Sequence, residues 1–223
     1  MYSIDLEDIP LDEFKQLLES IDLLPGRKVL LDGLAGVITR LKKRGVLNLS
    51  QLQQALKNKK KYPELQEALS VTNEYLVILN REINSYVSKP IPLAKLGILT
   101  EWEIKNLQSN EIHTTKELYE SCRTKASRKK VALYTNISEE RMEYILQVID
   151  LIRINGVGPS FAKILNRMGI KKVEDYVMTD SQEILRDFRE MNKGNAYAKV
   201  KLGLKDIEYC KRFARKLKTA IEW

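Results

Sequence analysis

Apolar residues along this chain recur three and four positions apart almost everywhere, and no stretch alternates apolar with polar between turn signals. The first spacing lines one face of a helix, whereas the second would mark strands. The pattern therefore predicts an all-α protein. A self-similar unit occurs three times along it: a helical hairpin ending in an apolar residue, a short capped helix, a small-residue link and a long closing helix. The first unit reads LLDGLAGVITRLKKRGV, LNLSQLQQALKN and ALSVTNEYLVILNREINSY. The second reads LGILTEWEIKNLQSNEI, HTTKELYESC and VALYTNISEERMEYILQVIDLIRI, and the third INGVGPSFAKILNRMGI, KKVEDYVM and KLGLKDIEYCKRFARKLKTAIEW. The aligned anchors Val46, Ile112 and Ile170 lie 66 and 58 residues apart, and the aromatics Tyr75, Tyr144 and Tyr209 lie 69 and 65 apart. Tyrosines recurring at matched helical positions are expected to pack the closing helices rather than stack on bases.

Local capping chemistry agrees with the unit. Thr100 with Glu103 and Thr114 with Glu117 have the spacing of capping boxes, and Asn48 with Gln51 repeats it in the first unit. Lys89-Pro90-Ile91-Pro92 is the strongest break, because neither proline fits a helix interior and each pushes its predecessor toward extended backbone. The expected domains are 1–88, an N-terminal helical unit with a degenerate repeat, and 89–223, holding the second repeat over about 93–150 and the third over about 151–223. YILQVIDLIRI crosses from one to the other without a breaker, which predicts a single connecting helix.

Composition narrows the class. At 223 residues with 43% hydrophobic and 30% charged residues, the chain has enough apolar content to fold. It contains no apolar run near the roughly 18 residues of a membrane span. The start MYSIDLEDIP lacks the basic-then-apolar signal pattern, so a cytoplasmic location is expected. Cys122 and Cys210 read as reduced thiols. With His113 alone, and neither CxxC nor HxxxH spacing, no metal and no cofactor is expected; His113 reads as a turn residue. Nucleophile-elbow, P-loop and HExxH motifs are lacking, and the glycine-rich turn opens no Rossmann unit, so the reading is a non-catalytic protein.

Charge changes the picture in one place. The net +8 is distributed as 13 basic against 12 acidic residues over 1–90, 9 against 9 over 91–150, and 16 against 9 over 151–223. The basic surplus therefore lies in the final third, together with Gly156-Val157-Gly158-Pro159. There the glycines permit a tight reversal, Val157 can pack back, and Pro159 suits the first turn of the next helix. Leu151, Ile152 and Ile154 would pack against Phe161, Ala162, Leu165 and Met168. Such a hairpin presents backbone N–H groups at a helix N-terminus, where the helix dipole favours a phosphate. The candidate nucleic-acid contacts are Gly156, Val157, Gly158, Ser160, Lys163, Arg153, Arg167, Lys171 and Lys172, with Asn166 near them. Arg212, Arg215 and Lys216, at i, i+3, i+4 spacing, form an expected supporting basic face. The tracts Lys57, Lys59, Lys60, Lys61 and Arg123, Lys125, Arg128, Lys129, Lys130 read as solvated loops, with extra phosphate clamps as the alternative.

Residues 151–170 resemble the helix-hairpin-helix motif of DNA repair and replication proteins, through the hGxG turn, the small Ala162, Lys163 and the closing Gly169-Ile170. In that family the turn binds the DNA phosphate backbone, usually without sequence preference. Residues 90–223, and more loosely 20–88, are similar to an uncharacterised bacterial family of tandem helix-hairpin-helix domains. The resemblance implies an all-α fold of three tandem helix-hairpin-helix-type repeats with connecting helices. DNA glycosylases share the hairpin, but their catalytic aspartate sits in a larger helical barrel; Asp175, Asp180 and Asp187 follow here in a chain without room for it.

At the turn, the second unit carries Ile98, Leu99, Thr100 and then Glu101, and the first carries Asp32, Gly33 and Leu34, so the third stands as the one unit that keeps a glycine turn. A carboxylate there would repel a phosphate. Two functions follow as expectations. One is sequence-independent DNA binding by the third hairpin, duplex favoured over single strand. The other is a helical scaffold that binds a protein partner without nucleic acid.

Overall fold

The computed structural model describes residues 1–20, 23–193 and 202–223, and these are helical apart from connections and two isolated bridges, Pro10 with Asn48 and Pro92 with Thr114. No helix among them is long and apolar enough to cross a membrane. The chain divides into Asp5–Val87 and a larger unit that joins Met1–Ile4 to Ser88–Trp223. Met1–Ile4, expected with the N-terminal unit, thus belongs to the larger one. The reason is burial: Tyr2 is fully enclosed there, edge-on to Tyr119 at 5.5 Å between ring centroids, with its hydroxyl 2.9 Å from that of Thr115.

The smaller unit contains α1 (Leu11–Glu19), α2 (Leu34–Lys43), α3 (Leu49–Lys57), α4 (Tyr62–Leu69) and α5 (Asn73–Asn84). Leu11, Phe14 and Leu18 form the buried stripe of α1, and Tyr75 of α5 is buried with its hydroxyl donating to the Leu30 carbonyl at 3.1 Å. Asn48 caps α3 by accepting the Gln51 N–H at 3.0 Å, while Gln51 reaches one residue further back than a capping box requires, to the Leu47 N–H at 2.7 Å.

The larger unit contains α6 (Glu101–Gln108), α7 (Thr115–Ser121), α8 (Lys125–Thr135), α9 (Glu139–Ile152), α10 (Pro159–Arg167), α11 (Val173–Met178), α12 (Ser181–Met191) and α13 (Leu204–Ala214). The capping boxes at Thr100/Glu103 and Thr114/Glu117 form as their spacing requires. α9 is buried on every side from Ile145 to Ile152, which makes it the core helix of this unit.

The three anchors close their helices in the same way. The N–H groups of Val46, Ile112 and Ile170 donate to the carbonyls of Leu41, Leu107 and Leu165 at 3.0 to 3.1 Å, each just after a residue of positive φ: Gly45 (+79°), Glu111 (+61°) and Gly169 (+86°). Such a left-handed residue followed by a backward bond satisfies carbonyls that a helix end leaves open.

Two expectations need correction. The links are not loops: α4, α8 and α12 occupy them, so the tract Lys125–Lys130 is helical and the long closing segments begin only at Asn73, Glu139 and Leu204. Ser70 (φ +50°) and Asn136 (φ +57°) make the breaks. α8 escaped notice because Arg128 and Thr135 take core positions beside Val131 and Ala132, which dilutes its apolar period. The last closing segment also ends early. Its Lys201 lies outside the described residues, the helix stops at Ala214, and the tail buries Leu217 and Ile221 while the Glu222 N–H donates to the Arg123 carbonyl at 2.8 Å.

Arg153 ties the larger unit together. Its Nε donates to the Tyr2 carbonyl at 2.9 Å and its Nη2 to the carbonyls of Lys218 at 2.9 Å and Met1 at 3.3 Å; its Nη1 bonds Asp150 and the Tyr119 hydroxyl. Asp150 also accepts from the Tyr119 hydroxyl at 3.0 Å and from the Val173 N–H at 2.9 Å. Removing one partner of such a buried pair strands the other charge. Arg153→Met is therefore expected to lower stability by about 3–5 kcal/mol, read from urea unfolding of the larger unit.

Burial of the two free thiols gives a pH signature. It pushes Cys122 and Cys210 up from 9.0 to about 12. The folded state therefore holds these protons more tightly than the unfolded one, and this contribution is present below 9 and is lost as pH rises toward about 12. Urea midpoints measured upward from neutral pH should fall across that window, and should fall less in a Cys122→Ala, Cys210→Ala double variant.

Candidate nucleic-acid interface

The third hairpin is set by what flanks its turn. α9 ends at Ile152, Arg153 caps it, and the Val157 N–H donates to the Ile154 carbonyl at 3.0 Å, which buries Val157. Gly156 takes φ +92°, and a Cβ there would stand 2.7 Å from Cys210 Sγ. Both the dihedral and the close approach of α13 demand glycine at this position.

Gly158 is different. It has φ −87°, ψ 171°, ordinary extended values for a residue that precedes a helix, and a Cβ there would meet nothing within 4 Å. It is exposed, it caps α10 with no side-chain hydrogen bond, and Pro159 follows as the first helical residue. Among the described residues, nothing in the fold requires a glycine here.

The remaining predicted contacts separate into outward and inward groups. Ser160, Arg167 and Lys171 are exposed, and Lys163 and Lys172 are half-buried. The Lys163 ammonium stands 3.8 Å from where a Cβ on Gly97 would lie, beside the turn of the second hairpin. Lys172 Nζ lies 5.5 Å from the centre of the Trp223 ring. The backbone N–H groups of Lys171 and Lys172 are taken by Asp175, at 2.9 and 3.0 Å, so these residues offer side chains only. Asn166 is occupied as well, donating to Gln147 at 2.9 Å.

Arg153 is 1% exposed with its guanidinium bonded inside the protein, so it cannot reach a phosphate, and the sequence expectation is corrected. The supporting basic face also changes. Arg212 is 8% exposed, with its guanidinium 5.0 Å from the Tyr209 ring centre and 4.7 Å from that of Phe213. Arg215 is exposed but is the C-cap of α13, and the half-buried Lys216 lies beyond the helix. The three do not form one helical stripe, because the helix ends before two of them and the first turns inward onto aromatic rings.

The glycine comparison also shifts. Gly33 (φ +64°) and Gly97 (φ +70°) turn the first two hairpins through left-handed backbone as Gly156 turns the third, so a glycine turn is common to all three. What differs between the second and the third is the residue opening the following helix; α2 also opens on a glycine without a side-chain cap, Gly33, but there the left-handed φ of +64° itself demands glycine. Thr100 caps α6 with its hydroxyl on the Glu103 N–H at 3.2 Å, and Glu103 returns to the Thr100 N–H at 2.7 Å. Arg141, hydrogen-bonded to Glu103, holds that carboxyl below the usual carboxylate range. At α10 no side chain takes that place.

Sequence reasoning missed several groups around the hairpin. Tyr209, half-exposed, accepts from Asn155 at 3.3 Å beside the turn, and Tyr144 is half-exposed with the Arg141 guanidinium 5.5 Å from its ring centre, so only Tyr75 of the three repeated tyrosines is fully core. Lys211 is buried and donates to the Thr179 carbonyl, with burial lowering its pKa. The one available signal was Asp150 and Arg153, three apart within an otherwise apolar run.

A family model described as Domain of unknown function (DUF4332) matches residues 97–217. The chain belongs to this family. The DUF4332 segment opens on Gly97, the left-handed residue of the second hairpin, and closes on Leu217, buried in the tail beyond α13. It therefore contains the whole third hairpin and the helix packed on Gly156. No curated protein and no solved structure matches the chain.

The two glycines of the turn should separate in a stability measurement. Gly156→Ala forces a Cβ into left-handed backbone and against Cys210, and is expected to cost about 1–3 kcal/mol. Gly158→Ser places a good N-cap in open space and is expected to be neutral or stabilising by a few tenths of a kcal/mol. Thermal and urea unfolding of both variants read the contrast directly.

Proposed function

We propose that the third hairpin is a helix-hairpin-helix element that grips the phosphate backbone of DNA without reading sequence. The two preceding hairpins are related units that serve structure. The single observation that supports this reading is Gly158: an exposed glycine at the uncapped start of α10 that neither dihedral nor packing demands. A side chain at that point would stand between an incoming group and the N–H donors of Ser160 and Phe161. Glycine leaves them open to an anion, to which the helix dipole adds attraction.

Ser160 and Lys163 supply a donor and a charge on the first turns of α10, while Arg167, Lys171 and Lys172 lie at and beyond its far end, and Arg215 and Lys216 add charge further along the chain. Arg153 and Arg212 leave the set because both are buried. The groups that remain are backbone N–H, hydroxyl and cations. These position a phosphate but have no pattern for distinguishing bases, so contact would be sequence-independent and salt-sensitive.

Gly158→Asp provides a test in which folding and binding move in opposite directions. Aspartate is a favoured N-cap and should hold or raise stability, whereas its carboxylate occupies the donors and repels a phosphate. In a low-salt fluorescence titration with generic duplex DNA, the parent should bind, more weakly as salt rises. Gly158→Asp should bind about tenfold or more weaker, the scale of a lost charge-assisted hydrogen bond. Equal binding by parent and variant, or no binding by the parent, would sink the proposal.

A further inference from the structure

Among the described residues, one face of α8 has no partner in the chain. Arg128, Val131, Ala132 and Thr135 are its buried side; Ala126, Lys129, Lys130, Leu133 and Tyr134, at i, i+3, i+4, i+7, i+8, form the exposed side. Leu133 is 83% exposed and Tyr134 43% exposed, which is unusual for large apolar side chains placed next to each other on a helix. α8 carries no acidic residue, and the contact of Lys129 with Glu139, at 3.9 Å between two exposed side chains, is a weak tie.

A surface of the opposite character lies elsewhere in the same unit. A groove of about 590 Å³ runs between the end of α10, α11 and α12. Its apolar lining is the half-buried Met168 and, at the edge, Met178, 84% exposed, set over the buried Ile170 and Ile184. Asp175, Asp180, Glu183 and Asp187 line it, and among the described residues no basic one does. Asp175 and Asp180 spend hydrogen bonds on backbone N–H groups and Asp187 meets Arg186 at 2.9 Å, yet the lining keeps its negative sign. The carboxylates are spread along the groove, with no three among the described residues converging as metal ligands would.

We infer that the exposed face of α8 docks into this acidic groove of a second copy of the chain, with Leu133 and Tyr134 on Met168 and Met178 and Lys129 and Lys130 against the carboxylates. One surface is cationic with protruding apolar side chains, and the other is anionic with apolar residues in its lining; among the described residues no segment of the same copy covers either. Because the two are different patches, the contact is heterologous, and copies add head to tail into a ring or an open chain. The inference stands independently of the DNA reading and survives its failure.

Sedimentation velocity over a concentration series, on full-length protein freed of nucleic acid, tests it. The parent should gain mass with concentration and lose it with salt. The pair Lys129→Glu and Lys130→Glu sets acid against acid, and the pair Glu183→Lys and Asp187→Lys sets base against base. Each doubly substituted protein alone should associate about tenfold or more weakly. An equimolar mixture of the two restores opposite charges at both contacts and should regain association. Leu133→Asp should also abolish it, with the helical circular dichroism of every variant unchanged. A parent that stays monomeric throughout, a mixture that stays monomeric, or a loss on Leu133→Asp with no effect at Glu183 and Asp187, which would indicate α8 meeting α8, each overturns the proposal.

Discussion

Arg153 uses all five of its guanidinium N–H donors inside the protein: one on the Tyr2 carbonyl, two on Asp150 and the Tyr119 hydroxyl, and two on the carbonyls of Met1 and Lys218. A cation moved out of water loses hydration worth several kcal/mol, and a single salt bridge rarely recovers it. Here the recovery comes from completeness, since every donor has an acceptor and the second Asp150 oxygen holds the Val173 N–H that starts α11. Segments distant in sequence are thereby fixed to one point: the first two residues, α7, the end of α9, α11 and the tail. The burial of Tyr2 and the end of α9 both depend on this group. Because Arg153 is also the residue that ends α9, the glycine turn beginning three positions later starts from a fixed origin.

That fixed origin explains why the turn's two glycines carry different constraints. Gly156 is determined by the fold, since its left-handed dihedral reverses the chain and its missing Cβ admits Cys210 of α13. Gly158 is two residues on, past the buried Val157, where the chain has already turned and the backbone is ordinary. A fold optimised only for stability would place serine, threonine or aspartate there, since each satisfies an open N–H at the helix start. The second hairpin follows that rule with Thr100 and Glu103. The third does not, and its helix keeps the donors that the second has spent.

Much of the fold was legible in the sequence because its signals are local. The capping boxes at Thr100 and Thr114 depend on a few consecutive residues, and the anchors Val46, Ile112 and Ile170 carry a left-handed residue directly before them. Glu111 shows that the same dihedral can be met without glycine, which hid the equivalence of that position from composition alone. α8 was not legible, because a helix whose core face includes Arg128 and Thr135 shows little apolar period. The site was legible only in part, for a related reason. Nearness in sequence says which cations could gather, but not which face they take. Arg153 and Arg212 sit among the right neighbours and point inward, the first onto carbonyls and a carboxylate, the second onto aromatic rings.

The charge of the last third likewise means less as a total than as a distribution. Its basic surplus suggests a polyanion partner, yet the groove below Gly169 and Ile170 is lined by four carboxylates, and Lys211, on the helix that follows, is buried on the Thr179 carbonyl. A phosphate approaching the groove between α11 and α12 would meet that negative lining. One approaching Gly158 meets Ser160 and open backbone, with Lys163 further along the same helix and no carboxylate among the residues of α10. The surplus is therefore divided between two surfaces of opposite sign within one unit. The proposed anion site at Gly158 and the acidic groove have separate linings, and neither could be inferred from the net charge of the segment that holds both.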